Sequence, residues 1–219
     1  IKGKSELYDY LISNSGFIFY NSDDEKQKII LSEYKNKYGF SQKESDLSYT
    51  VISENPSIIL STKNMTFEST LFGSYNIQNI ISAISIGSYF GISIEKIKKG
   101  VSDYIPTNNR SQIVKKNSNK IVLDAYNANP TSMTLAIKSF DKSDLKNKIL
   151  ILGDMFELGK EENKFHQEIV DYCETLLINK VFLIGEIFSK TIFTEKFISC
   201  KNYKELPVSY THLTLPTID

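Results

Sequence analysis

The residues best equipped for chemistry form one run, Asp124-Ala125-Tyr126-Asn127-Ala128-Asn129-Pro130-Thr131-Ser132-Met133. Its acidic residue closes a short apolar stretch, Ile121 to Leu123, that predicts a strand. Beyond it Met133, Ala136, Ile137 and Phe140 recur at helical spacing, with Asn129 placed to cap that helix and Pro130 at the favoured first position. A strand that runs into a polar turn and a helix N-terminus is where an open α/β sheet receives ligands, and the N–H groups of such a terminus favour phosphates and carboxylates. Asp124, at the strand end, is either a turn or helix cap or a carboxylate that accepts hydrogen bonds from ribose hydroxyls.

Asn76 and Asn79, in Gly73-Ser74-Tyr75-Asn76-Ile77-Gln78-Asn79, stand at the start of a second helix. A carboxamide is both donor and acceptor, as the edge of an adenine requires, but Asn76 equally suits an N-cap. Arg110, in Asn108-Asn109-Arg110-Ser111-Gln112, can hold phosphate oxygens through two parallel hydrogen bonds or sit in a surface ion pair. Lys4, read alone, is one lysine of a charged helix. The stretch from Gly153 to Glu161 imitates a phosphate-binding loop and is excluded as one. Such a loop has four residues between its glycines and Ser or Thr after its lysine; here five separate Gly153 from Gly159, Glu161 follows Lys160, and two acids would repel phosphate. His166, on the next helix, reads as structural. No Gly-x-Gly-x-x-Gly follows a strand, so a nicotinamide enzyme is not supported, and no Cys/His cluster marks a metal centre.

The elements that must position these residues follow from periodicity. Leu7, Tyr8, Leu11 and Ile12 mark a helix over 5–12, Phe17 to Tyr20 a strand, and Asp23-Asp24 the opening of a charged helical stretch running to about Tyr38-Gly39. Tyr49 to Ile52, Ile58 to Ser61 and Met65 to Phe67 read as short strands. Ile77, Ile80, Ile81 and Ile84 predict a helix that stops near Gly91, and Ile94, Ile97 and Val101 another behind Ser93. Pro106-Thr107-Asn108-Asn109 is the turn-rich domain boundary. After it, Ile113-Val114 and Ile121 to Leu123 predict a hairpin around the solvated basic loop Lys115 to Lys120. Lys148 to Leu152 and Val181 to Ile184 predict strands, with Phe165, Ile169, Tyr172, Cys173 and Leu176 a helix between them. Strands alternating with helices predict a parallel, doubly wound sheet.

The chain has 219 residues and balances 26 Lys plus Arg against 26 Asp plus Glu. That balance argues against a nucleic-acid or membrane-surface protein, which needs a basic excess, but not against a small anionic ligand. No apolar run approaches the ~20 residues that span a bilayer, and no secretory signal opens the chain. Cys173 lies on an apolar helical face as a core residue; with Cys200 it is expected to remain a thiol in a reducing cytoplasm. The chain opens without Met, and the run from Pro207 to Thr217 reads as an in-frame translation of a transposase sequencing adapter. Residues 207–219, with His212, are therefore left out of functional reasoning.

Three segments in order carry a family resemblance: Tyr104 to Gln112, Asp124 to Met133, and Leu152-Gly153-Asp154-Met155-Phe156-Glu157-Leu158-Gly159. They resemble the Mur ligases, over about residues 1–206, and within that family its D-alanyl-D-alanine-adding members. The resemblance implies an α/β chain in which 1–110 is a partial central nucleotide-binding domain lacking its Gly-Lys-Thr half, and 111–206 a truncated, Rossmann-like parallel-sheet C-terminal domain. It implies ATP and Mg²⁺ as cofactors, with UDP-N-acetylmuramoyl-tripeptide and D-alanyl-D-alanine as substrates of a monomeric, cytoplasmic parent that needs neither nucleic acid nor membrane. The implied chemistry is attack of a substrate carboxylate on the γ-phosphate, then attack of the dipeptide amine on the acyl phosphate. Site roles follow residue by residue. Asn76 and Asn79 would meet adenine and Arg110 the phosphates. Asp124 would meet the ribose, beside Tyr126 and Asn127, although Tyr126 equally suits packing under the loop. Lys4, carbamylated, would support Mg²⁺ as a carboxylate-like ligand. The fragment alone is expected to be inactive. The alternatives are another ligase of the family, adding diaminopimelate or lysine, and a non-catalytic nucleotide-binding module.

Overall fold

The computed structural model describes residues 2–63, 65–125 and 127–206, with residues 2–4 as backbone only. The Lys4 side chain, Tyr126 and the 207–219 tail lie outside the described residues. The chain divides into two compact units at Ile105/Pro106.

The first unit opens with α1 (Lys2–Ser13), β1 (Ile18–Asn21), α2 (Glu25–Ile30), β2 (Lys37–Ser41) and β3 (Leu47–Ser48). The three strands lie side by side in chain order and run parallel. Here the helix expected to reach Tyr38-Gly39 is corrected: it stops at Ile30, and Lys37–Ser41 is a strand. Gly39 disguises that strand in the sequence, yet it is what lets the strand pack. A Cβ at Gly39 would lie 2.8 Å from Ser45 Oγ and 3.0 Å from the Tyr20 ring, so a larger residue would push β1 and the β2–β3 loop away.

An antiparallel sheet follows, β4 (Thr50–Ser53), β5 (Ile58–Thr62) and β6 (Met65–Ser69), then α3 (Ile77–Tyr89) and α4 (Ile94–Ser102). Alternation along β5 buries Ile58, Leu60 and Thr62, and the helical spacing in α3 buries Ile77, Ile80, Ile81 and Ile84, as the periodicity requires. These faces meet Phe67, Ile97 and Val101 in one core.

The second unit begins with the hairpin β7 (Gln112–Lys116) and β8 (Asn119–Leu123), paired from Gln112↔Leu123 to Lys116↔Asn119. Then come α5 (Pro130–Asp141), β9 (Ile149–Gly153), α6 (Glu162–Glu174), β10 (Lys180–Ile184) and β11 (Phe197–Cys200). The last three strands form a parallel sheet with β10 in the middle. Val181, Phe182 and Leu183 of β10 are fully buried in succession, the pattern of a central parallel strand covered on both faces. Met133 and Ile137 of α5 pack with Ile169, Val170 and Cys173 of α6 against Val181 and Leu183. Both cysteines are buried and unbridged. Strand β11 was not expected from the sequence, because its four residues carry neither alternation nor an apolar run.

The parallel-sheet expectation therefore holds for β9, β10 and β11, with one correction. Among the described residues β8 pairs only with β7, antiparallel, and the parallel sheet keeps sequential order. Asp124 thus stands at the open end of a hairpin and not at a reversal of strand order.

Candidate functional site

The hairpin register brings the site together. Because Gln112 pairs with Leu123, the next residues outward, Ser111 and Asp124, face one another. The Ser111 N–H donates to Asp124 Oδ1 at 3.2 Å, bridging thirteen positions of sequence. One step further the Ala125 N–H donates to the Asn109 carbonyl at 2.8 Å. Between these two ties lies Arg110, exposed, flanked by two left-handed residues: Asn109 at φ 56° and Ser111 at φ 51°. Asparagine tolerates that conformation; serine adopts it seldom. The arginine and the carboxylate that the sequence singled out separately are thus joined through a single residue.

Asn127 is exposed on the loop between Asp124 and α5. Asn129 caps that helix through a reciprocal pair: its side chain accepts from the Ser132 N–H at 2.9 Å, and its own N–H donates to Ser132 Oγ at 3.1 Å. Pro130 takes the first helical position, where a missing N–H costs nothing.

Asn76 and Asn79 form the second pair, in the first unit. Asn76 ends a short 3-10 turn, Ser74–Asn76, that feeds α3. Its side chain makes no capping bond. The buried carboxamide donates from Nδ2 to the Phe72 carbonyl at 2.7 Å and accepts from Asn79 Nδ2 at 3.1 Å. Asn79 is exposed, so Asn76 orients a carboxamide that solvent can reach. Each pair is internally consistent with a polar ligand of the expected kind; the two pairs belong to different units.

A third constellation was not foreseen. Asp154, just past β9, accepts from the N–H groups of Ile187 and Phe188, each at 2.9 Å, after β10. Gly185 lies between, at φ 133°, and a Cβ there would overlap the Asp154 carboxylate. His166 is fully buried beside it. Its Nε2 accepts from the Met155 N–H at 2.9 Å, and its Nδ1 lies 2.7 Å from the Glu162 carbonyl. An acceptor at Nε2 and a carbonyl at Nδ1 assign the neutral ring with its proton on Nδ1. Asp154 Oδ1 is 3.7 Å from Nε2, too far to compete with that bond. Nε2 holds the loop through Met155 while Nδ1 is tied to the first turn of its own helix, so both ring nitrogens are occupied by backbone groups. The Gly153–Gly159 stretch is held by these groups in a form unrelated to a phosphate loop. In the sequence Asp154 was marked by its place directly after a strand and by the third of the segments that carry the resemblance, neither of which pointed to Ile187 and Phe188.

Residues 109–199 match the family described as Mur ligase, glutamate ligase domain. The UDP-N-acetylmuramoyl-tripeptide–D-alanyl-D-alanine ligase of Bacillus subtilis (strain 168) is 40% identical over 124 residues, which is 56% of this chain and 27% of that protein. The enzyme of the same name from Escherichia coli (strain K12) is 27% identical over 195 residues, 84% of this chain and 43% of that protein. The chain thus spans less than half the length of these relatives. MurF from Acinetobacter baumannii superposes with a TM-score of 0.75 at 22% identity, covering 92% of this chain and 46% of that one. MurF ligase from Thermotoga maritima, in complex with ADP, superposes with a TM-score of 0.69 at 19% identity, covering 84% and 44%. At these identities the superpositions establish the fold.

Proposed function

With residues 109–199 a Mur ligase C-terminal domain, we propose that this chain is part of an ATP-dependent amide ligase that joins D-alanyl-D-alanine to UDP-N-acetylmuramoyl-tripeptide in peptidoglycan precursor synthesis. The observation that carries the reading is the open end of the β7–β8 hairpin. There an exposed arginine is held next to a residue bonded to an exposed carboxylate, in a domain whose curated relatives bear that enzyme's name. Residues 1–110 are then the remainder of a central nucleotide-binding domain, and 111–206 the ligase domain that follows it.

The roles rest on chemistry the side chains can perform. Arg110 offers a rigid planar fork to phosphoryl oxygens, which a flexible ammonium cannot match. Asn79, steadied by Asn76, offers a donor and an acceptor to a purine edge. Asp124, with Tyr126 and Asn127, belongs to the ribose side. ATP, when bound, supplies the phosphoryl group that activates a substrate carboxylate for amide formation. Mg²⁺ is implied, with carbamylated Lys4 as its support. Among the described residues no three His, Cys, Asp or Glu side chains gather as a metal site. No helix among the described residues is long and apolar enough to cross a membrane, and a monomeric parent acting in the cytoplasm fits the reading.

The alternative is a nucleotide-binding module without catalysis, which the same arginine and carboxylate would equally suit. Titrating the chain with a fluorescent ATP analogue, then displacing it with ATP, tests the nucleotide site. Arg110→Ala should weaken binding about tenfold, the loss of a charge-assisted hydrogen bond; binding indifferent to Arg110, or none, sinks the assignment. Phosphate release by the longer natural protein, dependent on both UDP-N-acetylmuramoyl-tripeptide and D-alanyl-D-alanine, separates the ligase from the module.

A further inference from the structure

We propose that Asp124 is a positioning residue that works through Arg110: its carboxylate fixes the Asn109-Arg110-Ser111 strap so that the guanidinium is presented to a polyphosphate. The inference rests on the nucleotide reading for what Arg110 grips, and on geometry alone for how Arg110 is held. A strand-end carboxylate whose task was confined to a ribose would have no reason to accept a backbone N–H of the arginine's neighbour. Here Oδ1 does so, at 3.2 Å.

The strap has three features that belong together. Its two flanking residues, Asn109 and Ser111, both carry positive φ. Left-handed residues that are not glycine persist where surrounding bonds over-determine them, and bonds to Asp124 and Ala125 are among those that hold these two. Ser111 is buried to 4% exposure while Arg110 between the two is exposed, so the strap is anchored at one side and displays its middle residue. The hairpin supplies a rigid base, since its last register pair, Gln112↔Leu123, abuts both ties. Sites held by locked neighbours keep the geometry that a loop arginine would otherwise lose.

The whole chain serves for the test. Trypsin cuts after arginine only in locally opened, extended segments, so cleavage at Arg110–Ser111 reports how firmly the strap is held. Asp124→Ala removes the acceptor and should speed that cleavage about tenfold while leaving other sites unchanged. Asp124→Asn keeps a carbonyl acceptor and should stay within about twofold of the native rate. Calorimetric titration supplies the second readout, with ATP and with inorganic tripolyphosphate, which has no ribose. Asp124→Ala should weaken tripolyphosphate binding about tenfold and ATP binding by at least as much, and should cost tripolyphosphate nothing further once Arg110→Ala is present. Asp124→Asn should bind tripolyphosphate at least as well as the native chain, because it keeps the tie and sheds a charge that repels phosphate. Unchanged cleavage in Asp124→Ala overturns the proposal. So does a loss confined to ATP, which is the signature of a ribose contact alone, or a loss of tripolyphosphate binding that adds to that of Arg110→Ala. Absence of native ATP and tripolyphosphate binding, with the cleavage pattern as expected, would refute the nucleotide reading and leave the strap assignment standing.

Discussion

Among the described residues two parallel sheets of three strands occur, and they are finished differently. In the second unit β10 buries Val181, Phe182 and Leu183 completely, and α5 and α6 both contribute to its core. In the first unit β1 buries only Ile18, while Phe17, Tyr89 and Phe90 remain exposed around it in edge-to-face and tilted contacts. The first unit's main core lies between the antiparallel strands β4 to β6 and helices α3 and α4, joined by Phe40 of β2 and Leu47 of β3 but by no residue of β1. A parallel strand is stable when both faces are covered; the second sheet meets that condition and the β1 side of the first does not. The first unit is therefore closed in one part and open in another. Its soft part is 17–38 with the end of α3, whereas the core of 47–101 is closed.

The sharpest contrast is chemical. Burial pushes the Cys173 thiol from its ordinary 9.0 up to about 12 despite Lys196 nearby. The thiolate fraction at neutral pH then falls about a thousandfold, and Cys173 should react with iodoacetamide only after denaturation. Labelling of native Cys173 at the rate of a free thiol would show that the second core is open. The sign of the linkage also follows. The fold favours the protonated thiol, so this contribution is present below pH 9 and is lost as pH rises from 9 towards 12.

Next in size are the truncations. Leu183→Ala should cost about 3 kcal/mol in the second unit, read as faster hydrogen exchange across β9 to β11. Phe17→Ala, at a residue 39% exposed, should cost less than about 1 kcal/mol. Equal costs would mean that the β1 face is packed after all, and the comparison between the sheets would collapse.

Smaller than the Leu183 truncation are the effects of the caps. Asn129→Ala and Asp24→Ala each remove a side chain that accepts from the first turn of its helix, and each should cost about 1 kcal/mol. Only the latter should depend on acid. Partial burial raises the Asp24 carboxyl, but hydrogen bonds from Gln27 and Lys26 outweigh it and leave it below its ordinary 3.8. Its contribution is therefore present above that value and fades as pH falls through the lowered one, while the Asn129 contribution stays constant over that range. Local exchange at α2 and α5 between pH 5 and pH 3 distinguishes them, and a parallel decline in both would refute the carboxylate's part.

What was legible in the sequence depended on how much each element announced itself locally. Helix α5 did so through Asn129, Pro130 and its apolar stripe, and β10 through an unbroken apolar run. The strands β2 and β11 did not. Lys37-Tyr38-Gly39-Phe40-Ser41 follows a charged helical stretch and contains the glycine that close packing requires, and Phe197-Ile198-Ser199-Cys200 is too short for a period. The hairpin was legible, but the expected loop Lys115 to Lys120 closes to a turn between Lys116 and Asn119, and the register that sets Ser111 opposite Asp124 came only with the fold. The positive φ of Ser111 was not legible, because it arises from ties made by distant residues rather than from serine itself. Asn76 looked like a cap and is not one; its carboxamide found the Phe72 carbonyl and Asn79 in the fold.

The clamp at Asp154 has a consequence in sequence space. Its carboxylate occupies the space that any side chain at Gly185 would need, and it holds N–H groups 33 and 34 positions away. Positions 154 and 185 are therefore not free to drift independently. A lineage that replaces Gly185 must first shorten or lose the acid at 154, and one that loses the acid leaves two amides to find new acceptors. Natural variants should accordingly change at both positions or at neither, a signature of coupled substitution readable from sequences without any further structure.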